Sequence, residues 1–119
     1  MHESPWANAA KNLPSVPTLD DDGLLRFAGR WVAVTDTQIP VVALIVRNQG
    51  RLVRNVELQA AYRSAGGSDT KSALRSLIHR LRVRSAAVGL HLHVVRDRGV
   101  ILESLDQPES RLGAPARWH

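Results

Sequence analysis

Residues 70–103 read TKSALRSLIHRLRVRSAAVG and then LHLHVVRDRGVILE, and the two halves obey different periods. In the first half Leu74, Leu77, Ile78 and Leu81 recur at i, i+3, i+4 and i+7, the spacing of one buried helix face. At about 100° per residue Ser72, Ser76, His79 and Val83 fall opposite that stripe, flanked by Arg75 on one side and Arg80 on the other. Ser68 or Asp69 is positioned to cap this helix, which spans about residues 70–87. In the second half Leu90, Leu92 and Val94 alternate with His91 and His93, as on a strand with one apolar face. Arg96, Asp97 and Arg98 form a turn, Gly99 follows it, and Val100 to Glu103 supply the return strand, so a hairpin covers 90–103. Between Lys71 and Arg98 stand seven basic residues, Lys71, Arg75, Arg80, Arg82, Arg84, Arg96 and Arg98, against one acid, Asp97, while the whole chain carries +5. The charge surplus is thus concentrated on one helix and one hairpin.

Such a surplus suits a polyanionic partner, because each Lys or Arg set against a phosphate releases counterions. Of the 16 basic residues all but Lys11 and Lys71 are Arg, whose planar fork matches phosphate and guanine. At 119 residues and 44% hydrophobic content, one domain with a modest core is expected. Without cysteine there is no disulfide framework, thiolate metal site or cysteine nucleophile. No apolar run approaches the roughly 18 residues of a membrane span, and the N-terminus lacks a charged-then-apolar leader pattern, so no membrane partner and a cytoplasmic location are expected.

Working outward, MHESPWANAAKNLPSVPTLDDDG has three prolines, an acidic triplet and no period, which reads as a mobile arm over 1–22. The stretch SLDQPESRLGAPARWH reads likewise as a tail over 105–119, leaving a folded domain at 23–104. Leu24–Phe27 and Trp31–Val34 are β-prone runs joined by Ala28, Gly29 and Arg30, a hairpin with a three-residue loop. Thr35 and Gln38 have capping-box spacing for a helix over about 36–48, although Pro40 fits better if the helix starts from a Thr37 cap. Ile39, Val42, Ala43 and Val46 then face inward, widened by Leu44 and Ile45, and Trp31 is expected to pack on this helix. Val53, Val56, Leu58 and Ala61 suggest a second helix over about 55–63 with Asn55 a better cap than Arg54, ending at Ser64-Ala65-Gly66-Gly67-Ser68.

The order hairpin, helix, helix, loop, helix, hairpin, together with four motifs at matching spacing, resembles the winged helix-turn-helix DNA-binding domain of OmpR/PhoB-type response regulators. Val34-Thr35-Asp36-Thr37-Gln38-Ile39 resembles the Leu-Thr-Pro-x-Glu-Phe opening of that family's first helix. Arg47-Asn48-Gln49-Gly50-Arg51-Leu52-Val53 resembles its Arg-Asn-Pro-Gly-Arg-Val-Val stretch, with Glu57-Leu58 on its Glu-Leu. Ile78-His79-Arg80-Leu81-Arg82 resembles the recognition-helix signature, and Val94-Val95-Arg96-Asp97-Arg98-Gly99-Val100 the wing's Thr-Val-Arg-Gly-x-Gly-Tyr. Five positions depart: Arg54 and Asn55 replace Ser-Arg, Leu77 stands where many members place a polar residue, Asp97 replaces the first wing glycine, and Val100 replaces the wing tyrosine. The family's phosphorylated receiver domain has no counterpart in these 119 residues, so no aspartyl-phosphate switch is expected within them.

The resemblance implies an α+β fold of three helices, with a short N-terminal hairpin and a C-terminal hairpin wing, that binds double-stranded DNA and regulates transcription. The helix at 70–87 would enter the major groove, with Ser72, Arg75, Ser76, His79 and Arg80 as base readers. Lys71, Arg82, Arg96 and Arg98 would hold phosphates or the minor groove. Gly66 and Gly67 lie where the family's loop touches RNA polymerase, and Val83 is either a thymine-methyl contact or part of a protein interface. Because one small module covers only about 600–1,000 Å² on DNA, pairing as a homodimer or in tandem on repeated half-sites is expected. The other reading is an adaptor that contacts another regulator or RNA polymerase through Val83, the wing or the tails, with weak or no DNA binding.

Catalysis is not expected, since no nucleophile has a plausible base and no Gly-rich phosphate loop occurs. No cofactor is implied. His91 and His93 share a strand face at a spacing used by metal sites, but without a third ligand beyond His79 or a carboxylate no metal site is expected.

Overall fold

In the computed structural model, which describes residues 16–104, three helices lie between two antiparallel sheets. The order is β1 (Thr18–Leu19), β2 (Leu24–Phe27), β3 (Arg30–Ala33), α1 (Ile39–Arg47), β4 (Val53–Arg54), α2 (Asn55–Ser64), α3 (Lys71–Ala87), β5 (Leu90–Val95) and β6 (Gly99–Ser104). One sheet has the order β1-β2-β3 and the other β4-β6-β5. Apart from residues 16–22, the arm and the tail expected from composition lie outside the described residues.

The N-terminal sheet is one strand wider than the expected hairpin. Thr18 and Leu19, placed by composition in a mobile arm, pair with Arg26 and Leu25. Asp20 explains the order: Oδ1 accepts from the backbone N–H groups of Asp22 and Leu24 at 3.0 Å, and Oδ2 accepts from Arg26 Nε at 2.9 Å. The Leu24 N–H, then the Arg26 guanidinium, hold the Asp20 carboxyl below the usual aspartate range. The β2–β3 loop is shorter than expected, because Ala28 and Gly29 both take positive φ, 52° and 81°, in a two-residue turn, and Arg30 already pairs with Phe27.

α1 begins at Ile39, three residues later than the longer expectation, which puts Pro40 in the first turn where its missing N–H costs nothing. Half of the capping box forms: Gln38 Oε1 accepts from the Thr35 N–H at 2.9 Å, but the Thr35 hydroxyl faces Thr37 at 3.4 Å. The buried stripe is Val41, Val42 and Ile45; of the expected inward residues only Val42 is fully buried, and Ile39, Ala43 and Val46 are half-buried with Leu44. The second helix, Asn55–Ser64, falls where expected, but Val53, grouped with its apolar residues, precedes it in β4 and pairs with Val100. α2 is capped from Arg54 rather than Asn55, with Glu57 Oε1 accepting the Arg54 N–H at 3.0 Å. For α3 the cap is Thr70, whose hydroxyl accepts from the Ala73 N–H at 3.1 Å; Asp69 instead pairs with Arg63 at 3.3 Å.

Leu25 and Phe27 from the first sheet, Val41 and Ile45 from α1, Leu58 from α2, Leu74, Leu77, Ile78 and Leu81 from α3, and Leu90, Leu92, Val100 and Leu102 from the second sheet meet in one core. Trp31 does not join it: with 61% of its surface exposed, it sits on the outer face of the N-terminal sheet opposite Arg26. Gly99 is fixed by packing, since a Cβ there would collide with the carbonyl of Val53 across the β4–β6 pair.

Candidate nucleic-acid interface

The interface is built from α3 and the β5–β6 hairpin. Burying Leu74, Leu77, Ile78, Leu81 and Ser85 fixes the rotation of α3, and this rotation leaves Lys71, Ser72, Arg75, Ser76, His79, Arg80, Arg82 and Val83 exposed. Ser72, Arg75, Ser76, His79 and Arg80 therefore share one solvent face, as their spacing predicted. Leu77, where related domains often carry a polar residue, is only 1% exposed and cannot reach a base.

The seven basic residues divide into two groups. Arg84 is half-buried and donates from Nη1 to the Ala33 carbonyl at 2.9 Å, tying α3 to β3. Lys71, Arg75, Arg80, Arg82, Arg96 and Arg98 are exposed, and among the described residues none pairs with an acid. Uncompensated cations on two adjoining elements create a positive field for an extended polyanion.

In the hairpin, Leu90 pairs with Ser104 and Val95 with Gly99. Leu90 and Leu92 are buried, but Val94, expected on the same inward face, is 52% exposed on the edge strand β5, while Val100, paired with it on the central strand β6, is buried. The turn is Arg96, Asp97 and Arg98, closed by the Arg98 N–H donating to the Val95 carbonyl at 2.9 Å. Asp97 has φ 63°, a left-handed conformation that glycine takes freely and Asp or Asn tolerates better than other residues. The turn thus accommodates an acid at a position that favours glycine. The Arg98 carbonyl accepts the Asn55 N–H at 2.8 Å, which anchors the hairpin to the start of α2.

The groove beside α3 has no signal in any local period of the sequence. The tight Val88–Gly89 connection folds β5 back along α3 and leaves a groove of about 320 Å³ lined by His79, Arg82, Val83, Ala86, Leu90, His91 and Leu92. Arg82 on α3 and His91 on β5 thereby line the same groove. The His91 and His93 rings stack at 4.0 Å between centroids, and His93 Nε2 meets Glu103 Oε1 at 2.7 Å. The alternation in LHLHV placed both rings on one face, but the return of the helix flank toward them is a tertiary effect.

Between α2 and α3, Gly66 is exposed, and Gly67 is constrained because a Cβ there would enter the Tyr62 ring. Gln59 Nε2 donates to the Ser68 carbonyl at 3.0 Å, so this loop is held by α2. No group of three metal-ligating side chains occurs among the described residues, and no helix there is long and apolar enough to cross a membrane.

No protein-family model matches the chain, and none of the curated proteins is significantly similar to it. Among solved structures, the C-terminal domain of the nisin resistance regulator NsrR, a lantibiotic response regulator, matches with a TM-score of 0.64 and 21% identity, over 76% of this chain and 93% of that one. The likeness is one of fold: this chain has the α+β winged helix-turn-helix architecture, with α3 at the recognition-helix position and β5–β6 as the wing.

Proposed function

We propose that the chain binds double-stranded DNA sequence-specifically and regulates transcription, with α3 in the major groove and the β5–β6 wing on the neighbouring minor groove or backbone. One observation carries this reading: six exposed basic side chains without an acid partner among the described residues converge on α3 and the wing. Ser72, Arg75, Ser76, His79 and Arg80 read base edges; a bidentate Arg–guanine pair discriminates by about 1–3 kcal/mol. Lys71, Arg82, Arg96 and Arg98 hold phosphates, which sets affinity and its salt dependence rather than sequence preference. The fold shared with a response regulator's C-terminal domain supports a cytoplasmic DNA-binding role without catalysis. A second copy on a repeated half-site supplies the area that one module lacks, and the loop carrying Gly66 and Gly67 offers a contact to RNA polymerase.

The adaptor reading has its own support in Val83, an apolar side chain 60% exposed beside the recognition face. Selection of bound duplexes from a random pool, then titration at several salt concentrations, separates the two. An enriched motif whose affinity exceeds that of random duplex at equal salt supports sequence reading. No motif, with affinity governed by salt alone, favours the adaptor.

A further inference from the structure

The groove between α3 and β5 brings Arg82 against His91, and the groups that face His91 can be named. They are His79 and Arg82 from α3, His93 from its own strand and Glu103 from β6. The one acid, Glu103, stands across from His91 on β6 and binds His93 Nε2 at 2.7 Å. Partial burial, then the charges of His93 and Arg82, hold His91 below the ordinary imidazole range, while Glu103 opposes them. Arg82 has no carboxylate partner among the described residues. The groove is therefore largely apolar, with Arg82 as its one permanent cation and no carboxylate in its lining.

Its surroundings favour a nucleic-acid backbone as the occupant. Lys71 and Arg75 precede His79 at four-residue intervals, one basic residue per turn along the same flank of α3, and Arg96 and Arg98 stand beyond the far end of β5. A chain of regularly spaced anions matches such a track better than a single small acid does. We propose that the groove seats one backbone phosphodiester of the bound duplex between Arg82 and His91, and that His91 takes up a proton from solvent as the phosphate enters.

This rests on the DNA-binding reading and adds a specific contact and a linkage to it. The phosphate stands where a carboxylate is missing, offsets the field of Arg82 and favours the imidazolium, while no covalent bond changes. His91 is then neutral in the free protein near neutral pH and titrates higher in the complex. Between those two midpoints binding consumes a proton, so affinity rises as pH falls, by at most about tenfold per pH unit for one proton.

Two measurements on the full chain test this, using a mixed-sequence duplex of about 20 base pairs at about 50 mM salt. In NMR titrations of the histidine ring C–H signals from about pH 5 to 8.5, the His91 midpoint should lie low in the free protein and rise by on the order of one unit with duplex. Duplex affinity should rise several-fold from about pH 8 to 6, and His91→Gln should remove most of that rise. A His91 midpoint unmoved by a duplex that does bind, or a His91→Gln protein with the wild-type rise, overturns the seat. An equal shift with inorganic phosphate alone overturns it in favour of a free-anion site. Failure of any duplex to bind at any pH instead overturns the DNA-binding reading beneath it.

Discussion

Asp97 is the residue at which the wing departs furthest from the pattern it resembles, and the backbone explains how the departure is tolerated. At φ 63° the position needs glycine-like freedom, and Asp is among the few side chains that accept it. Its carboxylate nevertheless lies between Arg96 and Arg98 and weakens their pull on phosphate. Asp97→Asn should keep the turn and stability within about 0.5 kcal/mol, while tightening duplex binding about two- to tenfold at low salt and steepening the salt slope. Equilibrium titration at several salt concentrations measures both. Asp20 shows acid chemistry with the opposite role. Its native titration is depressed, so its contribution is present above the ordinary aspartate range and is lost as pH falls through the lower native value. Acid should therefore loosen the β1–β2 pairing before the core, seen as earlier amide exchange at Leu24 and Arg26, and Asp20→Asn should abolish that early step.

At the level of elements, legibility tracked how one-sided each pattern was. α3 was readable because its apolar residues occupy a single stripe among polar ones, so burial left no choice of face. α1 is apolar nearly all round, and its true stripe of Val41, Val42 and Ile45 is set by the neighbours it meets. β1 and β4 have two residues each and exist only through pairing with distant strands, Thr18 with Arg26 and Val53 with Val100, which no local period can reveal. The α3 cap lies one or two positions beyond the expected Ser68 or Asp69, because three successive residues, Ser68, Asp69 and Thr70, can each cap a helix. Thr70→Ala should cost about 0.5–2 kcal/mol in denaturant unfolding, more than Asp69→Ala, whose exposed pair with Arg63 contributes little. The exposed faces of α3 followed directly from its stripe, whereas the Arg82–His91 apposition required the fold-back of β5.

Across the whole molecule, the core and the basic surface share α3, so each inward residue orients an outward one. Leu77→Ala should destabilise by about 2–5 kcal/mol, because Leu77 is 1% exposed and packed among Leu74, Ile78 and Leu81. Gly99→Ala should do comparable damage from the other side, forcing β4 off β6 and releasing the wing from α2. Arg84, by contrast, belongs to the scaffold through its bond to Ala33, and its loss should act on stability more than on DNA. The charge surplus of the sequence thus resolves into a structural arginine, a face proposed to read bases and a track proposed to hold phosphate.

The central claim is that these last two surfaces have separate tasks, and parallel duplex selections with wild type, Arg80→Ala and Arg82→Ala test it most directly. The account predicts that Arg80→Ala relaxes the selected motif at one position, while Arg82→Ala leaves the motif intact, weakens all sequences alike and reduces the salt slope by about one. An unchanged motif in both variants with equal loss of affinity, or no motif in the wild type, would contradict it.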